Sequence, residues 1–429
     1  MSGFKEVSDG NVLSPLLTSK GTLTLTPAEL SLLVANSILI VSAVLLLIPI
    51  SMLFVECVAA LLPTRSRLKL PGNRPNIAVL IPAHNEEVGI GLTVAPLLEQ
   101  LTSRDRLIVV ADNCSDNTAS IARGLGATVI ERQDTERRGK GYALDFGVRF
   151  MADNPPDVVV IVDADCRVTP GSIERLAQLS TARNRPVQAT YLFEQSASPS
   201  AKNAVSTLAI IVKNWVRLAG LNNLGMPCLL TGTGMAMPWE IIRKAPLASG
   251  NIVEDMNLGM DLAIAGHSPI FCPEARVTSV LPQKEQAAKS QRTRWEHGHL
   301  QTIKTQVPRL LKAALQTLRL DLLVLALDLL IPPLSLLVML WLGATIASLV
   351  SLWFGTSPVP TILLGIGGIL LVSAILFAWA KFARSYLPAK TLIAIPLYVL
   401  WKIPVYFAFL FKPQKAWVRT ERDVPSDLP

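Results

Sequence analysis

The sequence predicts an α/β protein whose doubly wound sheet is inserted between transmembrane helices. Three observations lead there. Half of the 429 residues are hydrophobic and the mean hydropathy is +0.42, more apolar than a soluble chain of this length. Long apolar runs fall toward the two ends, at 30–62, 322–353, 360–380 and 391–411. Between them, residues 76–300 alternate short β-branched runs with helical stretches, the pattern of a parallel sheet covered on both faces.

The chain divides accordingly into a tail 1–29, an anchor 30–62, a cytosolic domain 63–300, an amphipathic interface helix 301–320, a C-terminal membrane region 321–411 and a basic tail 412–429. The first apolar run is too long for the core of a signal peptide and reads as a retained anchor. About 20 residues cross the hydrocarbon, so one tilted helix suffices. Arg65, Arg67, Lys69 and Arg74 follow it, whereas the tail before it is close to neutral. That bias puts the N-terminus outside and the domain in the cytosol of a multi-pass protein of the cell membrane. Residues 302–320 carry Ile303, Val307, Leu310, Leu311 and Leu315 on one stripe, as in a helix lying in the membrane surface or one packed on the domain. Pro332 and Pro333 break the second run, and Lys381, Arg384 and Lys390 follow the third, which suits a return to the cytosol. Lys402, in the middle of the fourth, makes a plain span costly, and a re-entrant or interfacial helix fits equally.

The net charge of +8 suits cytosolic flanks facing anionic lipid. No basic-aromatic module accompanies it, so nucleic acid is not an expected partner. The five cysteines form no CxxC pair, which argues against a disulfide framework or a zinc site and fits a reducing compartment.

Within the domain, strands are expected at Asn76–Pro82, Arg106–Asp112, Ala127–Glu131 and Val158–Asp163, and helices near 87–101, 116–124 and 140–152. Ligands of such sheets sit at the carboxyl ends of strands. Three polar clusters lie there: Pro82-Ala83-His84-Asn85-Glu86-Glu87, Asp112-Asn113-Cys114-Ser115-Asp116 and Asp163-Ala164-Asp165. Asp163 and Asp165, alternate residues at a strand end, can share one hard cation, Mg²⁺ or Mn²⁺; as loop acids they can equally cap the next helix. Lys140, between Gly139 and Gly141, can meet a phosphate or sit in a solvated basic turn. Glu254 and Asp255 open a helix, where acids are favoured by the dipole alone. In Gln291-Arg292-Thr293-Arg294-Trp295, Arg294 can bind a diphosphate and Trp295 can stack on a sugar ring, or the pair can anchor at a membrane interface. His297 and His299 have metal-like spacing but no third ligand nearby, so they read as structural.

The motifs PAHNEE, DNCSD, GKG, DAD, GTG, ED and QRTRW, in this order over residues 76–300, resemble the membrane-bound members of glycosyltransferase family 2, such as the cellulose, chitin, hyaluronan and poly-N-acetylglucosamine synthases and the ceramide glucosyltransferases. That resemblance implies a GT-A-like, nucleotide-sugar-binding domain. It implies inverting, metal-dependent transfer of a sugar from a nucleotide-sugar donor, a UDP-sugar, to a hydroxyl acceptor. Polysaccharide synthesis at the membrane is the expected setting, with single-sugar transfer to a lipid as the alternative and a non-catalytic membrane scaffold as a third reading. It further implies that Asp255 is the general base. Glu86, Asp112, Lys140, Asp163 and Arg294 would bind the donor, and Asp165 with Asp163 would hold the metal. Gly232, Thr233, Gly234, Glu254, Gln291 and Trp295 would line the acceptor site. Two departures, Arg292 in place of a second Gln and the lack of an FxVT loop, speak against cellulose synthesis.

Overall fold

A computed structural model describes residues 26–63, 73–194, 201–250, 253–280 and 285–411. The basic flank Arg65, Arg67 and Lys69 and the tail 412–429 lie outside the described residues.

The chain enters through α1 (Pro27–Leu61). A capping box fixes its start: Thr26 Oγ1 accepts from the Glu29 amide at 3.3 Å, and the Glu29 carboxylate accepts from the Thr26 amide at 2.8 Å. Two of the otherwise orphaned donors of the first turn are thereby satisfied.

Then come β1 (Ile77–Ala83), α2 (Ile90–Leu98), β2 (Arg106–Asp112), α3 (Thr118–Gly124), β3 (Thr128–Arg132), α4 (Lys140–Met151) and β4 (Val158–Ile161). These strands pair in parallel in the order β3-β2-β1-β4. Alternate residues of β1 enter two cores, which is why its sequence is apolar throughout. Ile77, Val79 and Ile81 face Ile90, Val94 and Leu97 of α2. Ala78 and Leu80 face Ala143, Leu144 and Met151 of α4. The strand order reverses between β1 and β4, which places a crevice at their carboxyl ends.

The rest of the domain adds β5 (Cys166–Val168), α5 (Ser172–Arg183), β6 (Val187–Glu194), α6 (Ala201–Ile211), α7 (Arg217–Asn223), β7 (Met235–Pro238), α8 (Trp239–Ile242), α9 (Glu254–Ile264) and β8 (Ile270–Val280). Here the parallel expectation fails, and the eight-stranded sheet is mixed. Strand β7 runs antiparallel to both β4 and β6, and β5 antiparallel to β8. Strand β7 has four residues ending in proline and β5 has three, too short to announce themselves by alternation.

The C-terminal part is helical: α10 (Glu285–Thr317), α11 (Leu320–Leu329), α12 (Leu334–Trp353), α13 (Val359–Ala378) and α14 (Ile395–Phe411). Residues 301–317 are not a helix of their own but the second half of α10. The apolar stripe is spent on protein: Val307, Leu310 and Ala314 are buried with Met256 and Met260 of α9 and Leu322 and Leu325 of α11, while Leu315 is exposed. The apolar run 322–353 is two helices, separated at Pro332–Pro333. The ten residues of α11 reach only about 15 Å, too short to cross a bilayer.

Among the described residues, five helical segments are long and apolar enough to cross a membrane: Pro27–Leu61, Lys202–Asn223, Leu334–Trp353, Val359–Ala383 and Leu392–Phe409. The second was not expected from the sequence. Its most apolar window is 72% buried inside the protein, against 17–39% for the others, so its apolar face is covered by protein. It packs with α1 and α13 around Leu53, Cys57, Ile211, Val216, Leu371 and Ala378. Lys381 closes the other end of α1, donating to the carbonyls of Ala60 and Leu61 at 2.8 and 3.0 Å, where a cation complements the helix dipole.

Candidate active site

The ends of β1 and β2 are knitted together. Asn85 and Asn113 turn the chain with φ of 54° and 52°, a left-handed backbone that asparagine tolerates better than most residues. Asn85 Oδ1 accepts from the Ser115 amide at 2.7 Å, and the Glu86 amide donates to Thr118 Oγ1 at 2.7 Å. His84 donates from Nδ1 to the Asp112 carbonyl at 2.7 Å. Asp112 is ion-paired to Arg132 at 2.6 Å. Burial raises its carboxyl above the ordinary value, and Arg132 opposes that rise without cancelling it.

Lys140 begins α4 after Gly139, whose φ is 126°. Its ammonium donates to the Gly232 carbonyl at 2.6 Å, pairs with Asp163 and lies 3.8 Å from Glu254. Burial works against this charge, yet Asp163, Glu254 and Asp255 together hold it above its ordinary value. A Cβ on Gly141 would lie 2.5 Å from the Leu247 carbonyl and 2.6 Å from that of Ser249. Glycine is therefore what lets α4 sit against the loop that leads to α9. We expect Gly141→Ala to cost about 1–3 kcal/mol as backbone is forced apart, measured as a lower melting midpoint.

Asp163 and Asp165 follow β4. With Cys166 they offer ligand atoms that all lie within 4.8 Å of one another. Burial, then the charges of Asp165 and Asp163, push the Cys166 thiol well above its ordinary value, and hard cations prefer carboxylate oxygen to sulfur. What remains is a pair of hard oxygen donors, which fits Mg²⁺ or Mn²⁺ rather than a thiophilic ion. Ser279 Oγ donates to Asp165 at 3.2 Å.

Behind them, Thr233 is fully buried, and its hydroxyl accepts from the Asp163 amide at 3.1 Å. Gly234, with φ of 63°, packs on Val277 and Ala189. Of the GTG triplet, Gly232 alone faces the cavity described below. Its φ is 94°, and a Cβ there would stand 3.4 Å from Asp255 Oδ2. Gln188, which the sequence did not single out, clamps this loop: its side chain donates to the Thr233 carbonyl at 2.9 Å and accepts from the Thr231 amide at 2.8 Å.

Glu254 and Asp255 form the first turn of α9. Burial pushes Glu254 up to about 7 against the pull of Lys140. Burial also raises Asp255, and Lys140 and Lys213 counter it in part. Gln291, Arg294 and Trp295 come from α10, with Trp295 against Phe193 at a ring separation of 5.6 Å. His297 and His299 sit 3.0 and 3.3 Å from the carbonyls of Val405 and Leu329, consistent with a structural role.

One cavity of about 370 Å³ gathers Glu86, Asp112, Lys140, Asp163, Asp165, Gly232, Glu254, Asp255, Gln291, Arg294 and Trp295 on its wall. Thus every expected site residue except Thr233 and Gly234 lines the same space. Lys213 and Arg217, unforeseen in the sequence, line it too.

Residues 75–298, more than half of the 429-residue chain, match the family described as Glycosyltransferase like family 2. The chain is 28% identical over 237 residues to the probable glycosyltransferase YdaM of Bacillus subtilis, a match covering 52% of this chain and 55% of that protein. It is 35% identical over 115 residues to the 4,4'-diaponeurosporenoate glycosyltransferase of Staphylococcus aureus, covering 25% and 30%. The matches thus span about half, or less, of the length of these curated relatives. Among solved structures it is similar to the mannosyltransferase PcManGT from Pyrobaculum calidifontis in complex with GDP-Man and Mn²⁺, with a TM-score of 0.48 and 19% identity, covering 85% of this chain and 99% of that one.

Proposed function

This chain belongs to glycosyltransferase family 2, and on that premise we propose that it transfers a sugar from a UDP-sugar, with inversion, to a hydroxyl acceptor reaching the cavity from the membrane side. One observation carries the reading: Asp112, Asp165, Asp255 and Arg294 border a single cavity, so one bound nucleotide sugar can reach all of them.

In this mechanism Glu86 and Asp112 meet the nucleoside end of the donor. Lys140 and Arg294 bind its phosphates by charge. Asp163 and Asp165 would hold Mg²⁺ or Mn²⁺, which when bound offsets charge on the diphosphate leaving group. Glu254, Gln291 and Trp295 flank the acceptor, Gly232 leaves room beside the base, and Thr233 and Gly234 support that loop from behind. Asp255 takes the proton of the acceptor hydroxyl as its oxygen attacks the anomeric carbon opposite the diphosphate. One displacement converts an α-linked donor into a β product.

The cavity continues past these groups to Leu53, Ile331, Pro332, Pro333 and Leu334, apolar residues among helices long enough to cross a bilayer. That continuity favours a lipid acceptor and a single transferred sugar. The Staphylococcus aureus relative is likewise named for glycosylating 4,4'-diaponeurosporenoate. Polysaccharide synthesis is the second reading, favoured by α12, α13 and α14, apolar helices able to line a polymer's path. In both, the protein is a multi-pass membrane protein with its catalytic domain in the cytosol.

The test is a panel of nucleotide sugars offered to purified protein in detergent, with Mn²⁺ or with excess EDTA, followed by product mass analysis. A UDP-sugar should release its nucleotide only with metal, and the product should be one sugar heavier than the acceptor. A ladder of lengths would replace the lipid reading with the polymer one. No nucleotide release from any donor would leave a scaffold role.

A further inference from the structure

Lys213 is unspent by the mechanism above. It lies in the π-helical turn Val212–Val216 joining α6 to α7, and it lines the cavity. A π turn inserts an extra residue into the helical ladder and recurs at functional sites. The segment around it is apolar enough to span a membrane, and a lysine in such surroundings is costly unless a partner offsets its charge.

Two of the acids that act on Lys213, Asp328 and Glu296, are paired with other cations. Arg217, one turn on, engages Glu56 and Asp328. Glu296 pairs with Lys402 at 2.6 Å. Among the described residues, no carboxylate stands within ion-pairing distance of Lys213; the one that acts on it most strongly is Asp255, on α9. A second observation is independent of the lysine. Asn214 Oδ1, Thr231 Oγ1 and Gln291 Oε1 are buried beside the cavity and have no hydrogen-bond partner among the described residues. Buried acceptors left in that state are expensive, so the wall beside Lys213 holds polar groups that the described residues do not satisfy. The apolar residues Leu53, Ile331 and Leu334 lie on the same wall.

We propose that Lys213 is an anion subsite for the acceptor, selecting an amphiphile whose hydroxylated headgroup carries a phosphate or carboxylate beside the reacting hydroxyl. This rests on the lipid-acceptor reading given above. Asp255 then meets the hydroxyl, Lys213 meets the anion, and the tail runs along Leu53, Ile331 and Leu334.

The experiment uses the full chain in a neutral detergent. Calorimetry measures binding of dodecyl phosphate, dodecyl glucoside and inorganic phosphate, and UDP is titrated separately. Wild type should bind dodecyl phosphate at least about tenfold more tightly than dodecyl glucoside, the size expected of a hydrogen bond to a charged group. Lys213→Met keeps the aliphatic stem and removes no ion pair, so it should fold, as a thermal melt will verify. It should lose the preference, Lys213→Arg should keep it, and UDP affinity should be alike in all three. The proposal is overturned if wild type shows no preference, if Lys213→Met retains it or weakens both amphiphiles equally, or if inorganic phosphate binds as tightly as dodecyl phosphate. A failure to bind UDP would instead count against the glycosyltransferase reading, while the amphiphile preference would still report on Lys213.

Discussion

Asp255→Asn should lower sugar transfer by about three orders of magnitude, within the range that removal of a general base produces, while UDP affinity moves less than about threefold. The carboxamide has the shape of the carboxylate but cannot take a proton. Asp255 occupies the first turn of α9, where backbone amides steady a negative oxygen. It faces Gly232, the one residue of its loop whose missing side chain leaves the carboxylate unobstructed. Because shape is kept, the melting midpoint should stay close to that of wild type, which separates lost chemistry from lost folding. The pH profile gives an independent check. The active form of a base is deprotonated, and burial raises this carboxyl above its ordinary value. Wild-type turnover should therefore fade as pH drops through that raised value, and any residual activity of the variant should lack the same limb. Single-turnover transfer and calorimetric UDP binding decide the matter, and a variant retaining more than about a tenth of wild-type turnover would remove Asp255 from the role.

That prediction starts from a residue the sequence could nominate but not place. The strands β1 to β4 were legible because each is a near-continuous β-branched run, and their polar ends announced where a ligand would lie. Asp255 carried no such mark, since acids in the first turn of a helix are explained by the dipole alone. It acquires meaning when Lys140 and Gly232, far off in the chain, converge on it. The same holds for Gln188, a polar residue in a strand whose partners are the backbone of residues 231–233. The segment α6–α7 escaped notice because Lys213, Asn214 and Arg217 interrupt its apolar run. Their burial is tolerable only through contacts that sequence proximity cannot reveal, such as Arg217 with Glu56, 161 positions earlier. Register and pairing of the short β5 and β7 likewise depend on neighbours, not on their own pattern.

Those distant contacts carry the second large effect: Arg217→Met should destabilise the protein by about 3–5 kcal/mol, the cost of removing one partner from a buried ionic cluster. Arg217 Nε meets Glu56 Oε2 of α1 at 3.0 Å. Its Nη2 meets both the carboxylate and the carbonyl of Asp328 on α11, the latter at 2.5 Å. All three side chains are at most 5% exposed, so the cluster is largely removed from bulk water. Without it two carboxylates face each other among apolar helices. The two backbones are in direct contact there: Gly220, on the same helix as Arg217, lies so close to the Glu56 carbonyl that a Cβ would overlap it. By contrast the ion pair Arg123–Glu131, with both side chains 54% exposed, should matter by no more than about 1 kcal/mol. Removing the charges together is the sharper comparison. A Glu56→Gln, Arg217→Met, Asp328→Asn triple variant leaves no buried charge unpaired and should recover much of the loss, since the attraction within such a cluster largely offsets its own desolvation. Melting midpoints in detergent, read beside size-exclusion profiles, test the pair of variants. A single variant as stable as wild type, or a triple variant no better than the single one, would mean that packing rather than charge fastens α1, α7 and α11.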